Sequence, residues 1–132
     1  MINVLAKILI GLIAVLHVYI CWFEIFAWTT RGPEVFSSMP VELFEPTTAL
    51  AANQGIYNLF LALGLFWSLL IKDKIWWRRV AICFLLFVAI AGISGAATAA
   101  IKILAIQTIT ATVAILLVHF GKEKDHAHLY AN

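Results

Sequence analysis

His17, Cys21, Glu24 and Trp28 are the side chains of this sequence best suited to chemistry, and all four fall within one apolar run, residues 4–28. They step by four, three and four residues. At ~100° per residue of helix, that spacing keeps them on one face. An imidazole and a carboxylate facing a common space could work as base and acid. A carboxylate with no Lys or Arg at its own level calls for a different partner: a proton, or something cationic. His17 and Cys21 could share a metal ion, but no third ligand falls at their depth, so no metal is expected. His126 and His128 form a lone H-x-H pair near the end of the chain, a weak metal signal. No nucleotide-binding motif or phosphate loop is visible, and no cofactor is expected.

The elements that must carry these residues follow from composition. Of 132 residues, 64% are hydrophobic, and the mean hydropathy is +0.99. Soluble domains sit near ~45–50% apolar by a similar count. The excess marks an integral membrane protein, with the lipid bilayer as its first partner. Only 12% of residues are charged, most of them between the apolar runs, and the net charge of +2 gives no reason to expect a nucleic-acid partner. Cys21 and Cys83 both lie in apolar runs and are expected to be free thiols. The first run is too long for a signal-peptide core and is expected to be a retained span.

Four apolar stretches predict an all-α, antiparallel four-helix membrane bundle spanning residues 1–121, with helices at about 4–28, 48–71, 76–98 and 103–120. Thr47 or Thr48 is a plausible N-cap for the second helix, and Gly121 a plausible stop for the fourth. No strand-like alternation is present, which argues against a membrane barrel. Residues 29–47 form an outer connection punctuated by Pro33, Pro40 and Pro46. Its mixed polar and apolar content fits a short segment on the membrane surface that could roof the bundle, with a short helix starting near Pro40. Residues 122–132 read as a charged cytoplasmic tail. Lys72, Lys74, Arg78 and Arg79 cluster in the second connection, so the positive-inside rule puts both termini in the cytoplasm. Trp22 and Trp28 read as interface-belt residues, not as ligand walls.

Depth along the helices is informative. At 1.5 Å per residue, Glu24 lies about one turn from the outer end of the first helix and His17 lies ~10 Å deeper. Asn53 and Gln54 meet the level of Glu24, Asn58 falls between Glu24 and His17, and Gln107 lies at middle depth. The polar groups gather in one half of the bundle and the other half is close to pure hydrocarbon. This predicts a ligand-binding pocket formed by His17, Glu24, Asn53, Gln54, Tyr57, Asn58 and Gln107, with His17 as its floor. Interhelical hydrogen bonding is the plainer use of such residues.

At Asn53-Gln-Gly-Ile-Tyr-Asn58 the chain resembles the small bacterial integral membrane proteins grouped as domain of unknown function family 1304, which look DoxX-like. His17, Glu24 and Trp28 match that family's first helix, and Leu63-Gly64-Leu65 follows the motif. Gly92 and Gly95 match a Gly-x-x-Gly element in the third helix, and Gln107 a glutamine in the fourth. Ser94 stands where the pattern has Tyr. The resemblance covers about residues 1–120 and implies a four-helix membrane fold in a bacterial inner membrane, without supplying a reaction. Three readings remain open: a module binding or moving a small amphipathic or cationic ligand, an enzyme using Glu24 and His17 on a lipophilic substrate, and a structural subunit. The last includes a possible homo-oligomer through the Ala91/Gly95/Ala99 ladder.

Overall fold

The computed structural model describes the backbone of residues 1–129 and the side chains of residues 1–121. Apolar helices dominate because a chain in hydrocarbon must satisfy every backbone N–H and C=O internally. The elements are α1 (Ile2–Phe26), α2 (Trp28–Val35), a 3-10 turn (Val41–Leu43), α3 (Thr48–Leu70), α4 (Lys74–Thr98), a π-helical segment (Leu104–Ile109) and α5 (Thr110–Leu129). Four of these stretches are long and apolar enough to cross a membrane: Ile2–Phe26, Thr48–Leu70, Lys74–Thr98 and Leu104–Gly121.

The four spans pack as a ring. α1 lies against α3 and α5, and α4 lies against α3, α5 and the π segment. α1 turns Ala6, Ile10, Ile13, Ala14, His17 and Cys21 inward, a stripe with steps of three and four residues. α3 turns Ala51, Gly55, Ala62 and Leu65 inward on the same period. Lipid tails are as apolar as these side chains, so close packing, not escape from water, must hold the bundle together. Small residues make that possible. A Cβ on Gly64 would collide with the Phe84 ring of α4, and one on Gly55 would come within 2.9 Å of Ile25 and 3.1 Å of the Cys21 carbonyl on α1.

Several boundaries differ from those expected. α1 stops at Phe26, and Trp28 begins a separate short helix, with Ala27 as the joint at φ −125°, ψ 8°. The polar residues 29–34 are therefore helical, and the Thr30 hydroxyl donates to the Ala27 carbonyl across the joint. The turn after Pro40 is a single 3-10 turn. Thr47 occupies the N-cap of α3, but its side chain does not cap; it donates to the Leu43 carbonyl instead, at 2.7 Å. α4 begins two residues earlier than expected because the Asp73 carboxylate accepts from the Ile75 and Trp76 amides at 2.9 and 2.8 Å.

Gly121 does not end the last helix, which runs on to Leu129. A single Gly costs a helix only about 1 kcal/mol, and here it serves contact: a Cβ would strike Asn3 of α1. The His126 and His128 side chains lie outside the described residues. Cys21 and Cys83 are both free thiols, the first buried and the second exposed.

Candidate functional site

The two ends of the bundle are built differently. Toward the Lys7 end, Ala6, Ile10, Leu65, Ala81, Leu85, Ala114 and Val118 are fully buried against one another. Toward the Trp28 end the helices part around a cavity of about 610 Å³, within the usual range for a small-molecule site. Glu24 of α1, Gln54 and Asn58 of α3, and Gln107 of the π segment line it together, among apolar side chains such as Leu16, Ile20, Phe23 and Ile106.

Glu24 is half-buried. Its one hydrogen bond among the described residues comes from Asn58, whose Nδ2 donates to Oε2 at 2.9 Å. The same Nδ2 donates to the Gln54 carbonyl at 3.2 Å, which fixes the amide's orientation. The Gln54 and Gln107 side-chain amides line the cavity without a hydrogen bond among the described residues.

Helix phase explains which residues of the Asn53–Asn58 motif reach the cavity. Ala51, Gly55 and Ala62 point into the bundle, and Gln54 and Asn58 sit beside that stripe. Asn53 and Tyr57 fall on the opposite face, with Leu50 and Phe60, and are exposed. They are not part of the cavity wall, contrary to the expectation from depth alone. Depth put Asn53 and Gln54 level with Glu24 and Asn58 deeper, yet Asn58 is the amide that bonds to the carboxylate. Gly55 sets the crossing of α3 over α1 near Ile25, and Asn58, about one turn further along α3, meets the carboxylate.

His17 is not the pocket floor. It is fully buried, and its Nδ1 donates to the Ile13 carbonyl of its own helix at 2.8 Å. Nε2 is sealed in the interior without a partner among the described residues. His17 is not among the residues that line the cavity with Glu24.

Trp28 lines the cavity after all, instead of serving only as a belt residue. Its Nε1 donates to the Thr47 hydroxyl at 3.0 Å, and its ring centroid lies 5.1 Å from that of Phe44, which is itself buried. With Phe23 and Phe36 these rings form an aromatic roof over the end of the bundle. Trp22 is exposed and carries the Arg31 guanidinium 5.6 Å from its ring centroid.

Two features were not anticipated. The first is Lys102, which lines the cavity that holds Glu24. Its ammonium donates to the Val35 carbonyl at the end of α2, at 2.6 Å, and stands 6.0 Å from the Phe36 ring centroid. The second is the π segment itself. Thr110 and Thr112 each spend a hydroxyl on a carbonyl three or four residues back, a habit that bends helices. The Thr108 hydroxyl reaches across to the Ala89 carbonyl of α4 at 3.0 Å. Gly92 leaves room for this, since a Cβ there would meet Thr108 and lie 2.8 Å from the Gln107 Cβ. Gln107 thus sits on a widened turn, a feature often found at functional sites.

Ala91, Gly95 and Ala99, the ladder considered as an oligomer interface, line this same cavity. Among the described residues no three His, Cys, Asp or Glu side chains gather as metal ligands would. A family model described as a protein of unknown function, DUF1304, matches residues 11–119. No curated protein and no solved structure matches the chain.

Proposed function

Since the chain belongs to the DUF1304 family of proteins of unknown function, we propose from its geometry that it binds a small amphipathic molecule with a cationic head. The observation that carries this reading is a half-buried carboxylate, Glu24, in a largely apolar cavity of about 610 Å³ with three amides around it. Asn58 holds one carboxylate oxygen in place. Gln54 and Gln107 bring further hydrogen-bonding groups, and the apolar walls suit a hydrocarbon body. The binding could serve storage, sensing or movement of the ligand.

Orientation is part of the proposal. Lys7, Lys72, Lys74, Arg78 and Arg79 gather at the packed end, which favours that end in the cytoplasm. The cavity then opens toward the outer side of a bacterial inner membrane. A reporter fused after Asn132 should be active only in the cytoplasm.

The binding test uses protein purified in maltoside detergent and dodecylamine as probe. Wild type should bind it, and Glu24→Gln should bind about ten- to a hundredfold more weakly, the range of one charge-assisted hydrogen bond at ~1.5–3 kcal/mol. Mass spectrometry of the purified protein should find a co-purifying amphiphile lost in the same variant. Equal binding by both forms would end the proposal.

A further inference from the structure

The wall of the cavity carries charge of both signs. Glu24 stands on α1 and Lys102 just ahead of the π segment, and both line the one space. A second, smaller hollow continues from it at the same end, lined by Lys102 with Ser37, Ser38 and residues 99–101. Lys102 thus stands where the cavity meets this vestibule. Its bond to the Val35 carbonyl occupies one of three ammonium protons, leaving two that can donate.

The cavity also has an open side. α1 packs against α5 along the closed end, where Ile10 and Ala14 share a buried cluster with Ala111 and Ala114. Beyond Thr110 the π segment swings toward α4, and α1 faces it across the cavity. Tyr19 of α1 and Ile106 of the π segment line that gap and are both exposed, at 50% and 46%. In a membrane this gap opens sideways, to lipid.

Resting on the binding proposed above, we infer that the ligand is a single-chain zwitterionic amphiphile that enters from the bilayer between α1 and the π segment. Its ammonium meets Glu24, its anionic group meets Lys102, and its chain lies against Leu16, Ile20 and Ile106. Size agrees. The volume of about 610 Å³ lies within the usual range for a small-molecule site, room for a small head and one chain.

The test compares three probes on detergent-purified protein: dodecylphosphoethanolamine, dodecylamine, and phosphoethanolamine without a chain. Wild type should bind the zwitterionic amphiphile about tenfold more tightly than dodecylamine, the effect of one added charge-assisted bond. Lys102→Gln should erase that preference, so that the two chain-bearing probes bind alike, and Lys102→Arg should restore part of it. The chainless head group should bind at least a hundredfold more weakly. Equal binding of the two chain-bearing probes by wild type, a preference that survives in Lys102→Gln, or tight binding of the chainless head would each overturn the inference while leaving a cationic-amphiphile site standing. Failure of dodecylamine itself would remove both.

Discussion

At the Lys7 end Ile10, Leu65, Leu85 and Val118 meet with no surface left to probe, while at the Trp28 end the same four spans stand apart around a cavity. The sequence of each span changes accordingly. α1 passes from Ile and Ala to Glu24, and α3 runs the other way, from Gln54 and Asn58 to Leu65 and Ser68. Ser68, buried within the packed half, turns to its own helix: it donates to the Leu65 carbonyl one turn back, at 2.6 Å, and only at the charged end does Arg78 reach across to Asn3 of α1. In the open half Asn58 reaches to another helix beside the cavity. One half holds its shape through interlocked side chains. The other is held apart by a roof, a π segment and a few cross-helix hydrogen bonds. A cavity in a helical bundle can therefore be made by withholding packing over half its length.

Mutations can break or sharpen this contrast. The largest effect should come from Leu85→Ala in the packed half, expected near the lower end of the ~2–5 kcal/mol typical of buried Leu→Ala changes, because among lipid the lost packing still costs but the transfer from water contributes little. Thermal unfolding in detergent would show it. Gly92→Leu should destabilise by about 1–3 kcal/mol through overpacking against Thr108 and Gln107, and should also abolish dodecylamine binding. Deleting Ala105 to convert the π segment into plain α-helix should leave the melting midpoint within a few degrees of wild type while turning Gln107 off the cavity and weakening binding. Asn58→Ala should cost about 0.5–1.5 kcal/mol, the worth of its bond to Glu24. Ile106→Ala, at the open side, should change stability by less than about 1 kcal/mol, and a larger loss would mean that the cavity wall is packed after all.

Much of this arrangement was legible in the residues. Hydropathy and length locate four spans, and the 3.6-residue period turns Cys21 and Glu24 to the inner side of α1. The meeting of Glu24 with an α3 amide follows from comparing depths. Depth without phase was not enough, however. The stripe through Ala51, Gly55, Ala62 and Leu65 already separates Asn58 from Asn53 and Tyr57, and reading it would have named the right amide. His17 misled because a histidine can satisfy one nitrogen on its own helix, which no spacing rule reveals. Lys102 reads as a turn residue until the course of the chain past Gly95 is known. The π segment has a trace in Thr108, Thr110 and Thr112, but three threonines also suit an ordinary membrane helix, so the pattern did not distinguish the two. Trp28 belongs to the cavity only because Ala27 breaks the helix just before it.

His17 carries one more consequence. With Nδ1 tied to the Ile13 carbonyl, its Nε2 is a buried nitrogen with no partner among the described residues, open to any solvent molecule that reaches it. Labelled with nitrogen-15, that atom becomes a moisture gauge for the middle of the protein. Its resonance should hold still while the interior remains dry and move as soon as wetting spreads past Leu16.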